Sequence, residues 1–168
     1  MSKVFRADDT VMAAVKDLVV KYHPHLVPIL EEIAVVFKEK AATVGDNVVM
    51  GKTAKAPDLI SVLTDKDFKF VITLAADEWE ELNAKQKKAL LDHHLCACRV
   101  KEDPATSEYI KFWVQPPDVA FFREEVERNG FWRTSSTPVP KTVLEDLFGE
   151  AEEEAAAEPE GDTPTHLQ

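Results

Sequence analysis

Apolar residues recur along this chain with two periods. Val11, Ala14, Val15, Leu18, Val19 and Tyr22 lie three and four apart, which predicts a helix opened by Asp8, Asp9 or Thr10 and ended near His23-Pro24. Ile29 to Phe37 contains the run IAVVF, the pattern of a strand buried on both faces. Val44 to Lys55 carries a Gly-Asp-Asn turn signal and then a second strand, in which Gly51 marks a bulge or a close approach. Pro57 suits a first helical turn, and Leu59, Ile60 and Leu63 extend it to Thr64. Phe68, Phe70, Ile72 and Leu74 alternate with Lys69, Val71 and Thr73, the clearest strand of the chain. Asp77 to Leu82 leads through Trp79 as a lid over the core.

The stretch Asn83 to Val100, NAKQKKALLDHHLCACRV, organises the rest. Asn83 is a good N-cap. Leu90, Leu91, His94, Leu95, Ala97 and Cys98 fall within an arc of about 160° on a helix, so the buried face carries a histidine. Val100 to Ser107 reads as a polar turn and Tyr109 to Gln115 as a strand. Asp118 caps a last helix with Val119, Phe122 and Val126 on one side, which Asn129-Gly130 ends; Trp132 docks back on the core. Helices and strands without a Gly-rich phosphate loop predict an α+β fold, a short mixed or antiparallel sheet around a central helix.

Beyond Arg133 the pattern stops. TSSTPVPK is a Ser/Thr/Pro linker, and the segment from Gly149 to Gln168 is acidic and of low complexity, too poor in apolar groups to offset its ordering entropy. Residues 1–133 are expected to form the domain, and 134–168 a disordered tail. Within the tail, Val143, Leu144, Leu147 and Phe148 share one helical face over residues 142–149, with Thr142 and Glu145 spaced as a capping box. That face either docks a partner or packs on its own domain.

Charge sharpens this division. Residues 134–168 hold nine of the 31 acidic side chains and one of the 20 basic ones, leaving 22 and 19 in residues 1–133. The domain is therefore nearly balanced at −3, and the tail carries −8. No Lys/Arg cluster is interleaved with aromatics, so nucleic acid is not an expected partner. No apolar run approaches the roughly 18 residues of a membrane span, and the N-terminus lacks a secretory pattern, so a cytoplasmic protein is expected. Cys96 and Cys98, the two cysteines, are expected on one helix with side chains about 200° apart, hence as reduced thiols.

The chemistry is concentrated at His93 and His94. A zinc-peptidase helix reads H-E-x-x-H, because residues four apart grip one metal while the Glu activates its water. Here the run is His93, His94, Leu95, Cys96, Ala97. His23 and His25 invite a metal reading too, but Pro24 breaks the chain between them, and a helix-ending turn is the simpler account. A rebuilt site could pair His94 with Cys98 or His93 with Cys96. Zinc needs three or four ligands, and a further donor such as Asp118 has no supporting spacing.

The run Ala75 to Arg99 resembles the Putative phage metallopeptidase family, whose corresponding helix reads LLDHELCHC. KYHPHL at Lys21 to Leu26, GKTAKAPDLISVLT at Gly51 to Thr64 and PDVAFFREEVERNGFW at Pro117 to Trp132 resemble it in the same order. The resemblance covers roughly residues 1 to 133. It implies a small zincin-like domain of a phage or prophage peptidase with zinc as cofactor, and it places Val44 to Lys55 as an edge element near the site. Carried over residue by residue, His93 stands at the first zinc-ligand position, His94 at the catalytic Glu, Ala97 at the second ligand and Pro117 at the third. Neither a methyl group nor a proline ring donates a lone pair. The expectation is a catalytically inactive member that binds a protein partner and holds no resident cofactor. The alternative is an active zinc peptidase with an altered ligand set.

Overall fold

The computed structural model describes residues 2–117 and 122–130. The chain divides into two units, Met1–Arg133 and Thr134–Gln168, and every element below belongs to the first. The linker, the acidic tail, Val143 to Phe148 and Trp132 lie outside the described residues, as do Asp118, Val119 and Phe121.

A four-stranded mixed sheet forms the frame. Its order is β1 (Val4–Arg6), β2 (Ile33–Lys38), β6 (Phe70–Ala75) and β5 (Gly51–Lys55). β2 and β6 run parallel with Ile33 opposite Phe70, while the outer strands pair antiparallel. In that register Ile33, Val35 and Phe37 share a face with Phe70, Ile72 and Leu74, and all six are buried. Burying each removes about 1.5–3 kcal/mol worth of apolar surface from water. Two short hairpins complete the strands: β3 (Ala42–Val44) with β4 (Asn47–Val49), and β7 (Cys98–Glu102) with β8 (Tyr109–Val114). Gly45 takes the left-handed conformation (φ 61°) that the first turn needs.

Helix α1 (Asp9–Tyr22) is capped by Asp8, whose carboxylate accepts from the Val11 N–H at 2.9 Å. Its buried residues Val11, Val15, Leu18 and Val19 join Ala89, Leu90, Leu91 and Leu95 of α4 (Ala84–Cys96) in the core over the sheet. Asn83 and Gln86 close a reciprocal capping box at the start of α4. Such a cap contributes about 1 kcal/mol. The remaining helices are short: α2 (Asp58–Thr64), α3 (Ala76–Glu81) and α5 (Arg123–Asn129). The fold is α+β, as expected. Among the described residues no helix is long and apolar enough to cross a membrane.

Several local expectations fail for identifiable reasons. Ile29 belongs to a 3-10 segment, Pro24–Glu32, because Pro28 inside it cannot donate to a ladder. β2 starts only at Ile33 and buries one face, not two. Leu59 and Leu63 of α2 are exposed, so their helical spacing does not mark a core face. Cys98 is not on the helix with Cys96. The helix stops at Cys96, and Cys98–Glu102, read as helix and turn, pairs with β8, which buries Cys98 and joins Val100 to the core. The Ala97 carbonyl accepts from the Gln115 N–H at 2.9 Å and so fixes the helix end to the hairpin.

Gly51 is a close-approach glycine. A Cβ there would lie 2.5 Å from His94 Nε2 and 2.9 Å from both Leu74 Cδ2 and the Thr73 carbonyl oxygen. Gly51→Ala is expected to lower stability by roughly 1–3 kcal/mol, read as a drop in the thermal unfolding midpoint; an unchanged midpoint would refute the packing argument.

Candidate functional site

The last two turns of α4 present three side chains in three directions, and each meets a different element. Asp92, wholly buried, faces the end of α1 and the helix α5. His23, the C-cap of α1, holds Asp92 Oδ1 through Nε2 at 2.7 Å. Arg128 of α5 grips the same carboxylate with both arms, Nη2 to Oδ1 at 2.5 Å and Nε to Oδ2 at 2.9 Å. Asn129 Nδ2 adds a bond to Oδ2 at 3.1 Å. The guanidinium also lies 4.6 Å from the Tyr22 ring centre. Four donors thus converge on one carboxylate.

Burial alone would raise the Asp92 pKa. The hydrogen bonds from His23 and Arg128, with the guanidinium charge, outweigh it and hold the carboxyl below its usual range. Burial likewise works against the Arg128 cation, and Asp92 more than restores it. The thiol of Cys96, one turn after Asp92, is pushed well above its ordinary range by burial and by the Asp92 charge. Cys98, buried in β7, is pushed up to about 12. Both thiols are free and stay protonated near neutral pH.

His93 points elsewhere. Its Nδ1 lies 2.5 Å from Oε2 of the buried Glu125 of α5, and its ring sits 5.1 Å from that of Phe122. Glu125 Oε2 also accepts from the Phe122 N–H at 3.2 Å, which seats the carboxylate at the start of α5. His94 turns toward the sheet: Nδ1 is 2.9 Å from Thr53 Oγ1 in β5, and the Thr53 hydroxyl is 3.2 Å from the His94 carbonyl oxygen. Nε2 comes to rest over Gly51. β5 is the edge strand of the sheet and lies against this helix, the placement implied for Val44 to Lys55.

Of the candidate positions, the structure brings His93, His94 and Ala97 to one helix end and leaves Pro117 exposed after β8. Ala97 is the C-cap with helical angles (φ −72°, ψ −23°), so positions 93 and 97 keep their one-turn relation. His23 is not merely a turn residue, since it belongs to the Asp92 cluster. His25 binds the Cys98 carbonyl at 3.1 Å and takes no part. Sequence reasoning missed Asp92, Arg128, Glu125 and Thr53 as site members. One signal existed for the first: Asp92 lies between Leu91 and Leu95 and three residues after Ala89, in the apolar half of the helix, and a buried carboxylate there demands a cation.

The chain belongs to the Putative phage metallopeptidase family, whose model matches residues 2–151. The match runs past Arg133 and takes in Val143, Leu144, Leu147 and Phe148. No curated protein and no solved structure matches the chain.

A metallopeptidase family implies a metal, and the donors present can be tested for one. Among the described residues a single group of three donor atoms lies within ligand range, His23, Asp92 and Cys96, all within 4.8 Å of one another. It does not include His93. Nor does it fit zinc as it stands: Arg128 Nη2 already sits between Asp92 Oδ1 and Cys96 Sγ, at 2.5 and 3.5 Å. Zinc would have to displace that guanidinium from both groups. The cluster is a closed ion pair.

Asp92→Asn leaves the half-buried Arg128 without its counter-charge and removes a wholly buried carboxylate from its donors, and is expected to cost about 2–3 kcal/mol at pH 7. The folded-state pKa of Asp92 is lowered, so its contribution is complete above the unfolded value of about 3.9 and is lost as pH falls through the folded one. The gap between wild type and variant in urea unfolding should therefore be constant from pH 5 to 7 and narrow below pH 4. A gap that persists at pH 2 would show that the charge is not what stabilises.

Proposed function

We propose that this chain is a zincin-like phage metallopeptidase domain that has lost peptidase chemistry and acts in the host cytoplasm by binding a protein partner. One observation carries the reading. At the helix end where this family's peptidase chemistry would reside, the catalytic-base position is His94, held by Thr53 and seated against Gly51, and the second ligand position is the methyl group of Ala97. Of the three ligand positions His93 alone keeps a donor, and it belongs to no group of three donor atoms among the described residues. A single imidazole does not hold zinc against water.

A second reading, an active metal-dependent peptidase with an altered ligand set, has its own support. A buried carboxylate on the Nδ1 of His93 is the arrangement that orients a metal-binding imidazole and leaves Nε2 to bind. Asp92, Cys96 and Cys98 are also retained from the family pattern. Metal analysis separates the two readings. Purified full-length protein supplied with zinc during expression is expected to carry well under one zinc per chain and to cleave no protein substrate with zinc, manganese or cobalt. Stoichiometric zinc that disappears in His93→Ala, or chelator-sensitive cleavage, would overturn the inactive reading.

The binding role is proposed to reside in the apolar face Val143, Leu144, Leu147 and Phe148, within an otherwise acidic segment. Removing residues 134–168 is expected to abolish co-purification of the partner while leaving the thermal midpoint within about 2 °C, a shift of a few tenths of a kcal/mol. Undiminished co-purification would move the contact to the domain.

A further inference from the structure

A cavity of about 470 Å³ opens between the 3-10 segment, Lys69 at the foot of β6 and the β7–β8 hairpin, away from the helix end described above. Three carboxylates line it, those of Glu32, Glu102 and Glu108. Its aromatic side is Tyr109 and Phe112, whose rings meet edge to face at 6.3 Å. Tyr109 is fixed by its hydroxyl, which donates to the His25 carbonyl at 2.7 Å, and Phe112 by an edge contact with Phe70 of the core. The aromatic wall is thus anchored to the fold.

Two observations indicate what the cavity takes. Lys69 places its ammonium 5.0 Å from the centre of the Phe112 ring while also pairing with Asp67, so the chain itself sets an organic cation against this wall. That one ammonium, shared with Asp67, leaves the three lining carboxylates in excess. In addition, Glu32 Oε2 is buried and has no hydrogen-bond partner among the described residues. A buried carboxylate oxygen without a donor is costly, and a cation held beside the Glu32 carboxylate would offset that cost. The carboxylates do not converge as metal ligands, since the one three-donor group among the described residues lies elsewhere. A small ion therefore fits poorly, and a broad cation with an apolar stem fits well.

We propose that this cavity binds an organic cation, a primary ammonium or guanidinium on an aliphatic stem, with the stem against Tyr109 and Phe112 and the charged head among Glu32, Glu102 and Glu108. The head takes the position that a lysine or arginine side chain of a peptide, or a free diamine, would offer equally. The site is independent of whether the domain cleaves peptides.

Backbone amide NMR of the full chain tests this, with 1,5-diaminopentane and with the blocked tripeptide acetyl-Gly-Arg-Gly-amide as probes at constant ionic strength. Both probes are expected to give saturable shifts centred on Glu32, Tyr109 and Phe112, and the uncharged 1,5-pentanediol none. Glu108→Gln, at an exposed position, is expected to weaken binding about fivefold, and Glu32→Gln at least as much. Tighter binding of the tripeptide assigns the site to a side chain of a protein partner, and tighter binding of the diamine to a free amine. Shifts that never saturate, that the diol reproduces, or that both glutamine variants leave unchanged would overturn the proposal.

Discussion

The domain depends on one buried charge pair. Asp92 belongs to the central helix, His23 to the end of the first and Arg128 to the last, and the three meet with no solvent at the carboxylate. Separating two such charges from water costs several kcal/mol per ion, and the attraction repays that only when geometry and remaining hydrogen bonds are nearly complete. Here they are: two guanidinium contacts, an imidazole and an amide account for both oxygens. The consequence is positional. Helix α5 buries only Glu125 and Val126 by itself, so its place in the fold follows from polar anchoring as much as from apolar burial.

The same helix carries the second anchor. Glu125 precedes Arg128 by three residues and therefore rises from nearly the same face, so α5 engages two consecutive residues of α4, Asp92 and His93, at once. On the other side, His94 ties α4 to the edge strand through Thr53, and the fit is tight enough to require glycine at position 51. Three neighbouring polar residues thus fix three elements. Each of these side chains is directed to another element of the fold.

How much of this was legible in the sequence follows from the range of each interaction. Local signals gave the N-cap at Asn83, the extent of α1 and the alternation of Phe70, Ile72 and Leu74, because each rests on residues a few positions apart. Gly51 was legible as a close approach but not what approached it, since His94 lies 43 positions on. The pairings His23–Asp92, His93–Glu125 and Asp92–Arg128 span 69, 32 and 36 residues, and nothing in local composition links them. The end of α4 was misread for a related reason. Cys98 fits the helical arc by spacing, yet pairing with Val114 buries it completely in a hairpin, and tertiary pairing overrode the period.

The donor arrangement beside Asp92 shows how a buried carboxylate in such a domain is neutralised by the polypeptide itself. A metal centre supplies a concentrated positive charge that the surrounding carboxylates and imidazoles are arranged to meet, so deleting ligands without compensation leaves buried donors unpaired. In this chain the positive charge beside Asp92 comes from Arg128, a side chain that is always protonated and that delivers several N–H groups in a fixed plane. Cys96 remains a neutral thiol beside it, and His94 Nδ1 meets the Thr53 hydroxyl. The electrostatic needs of the helix end are therefore met from within the polypeptide. An ion could enter the Asp92 cluster only by displacing Arg128, whose guanidinium already contacts both Asp92 and Cys96.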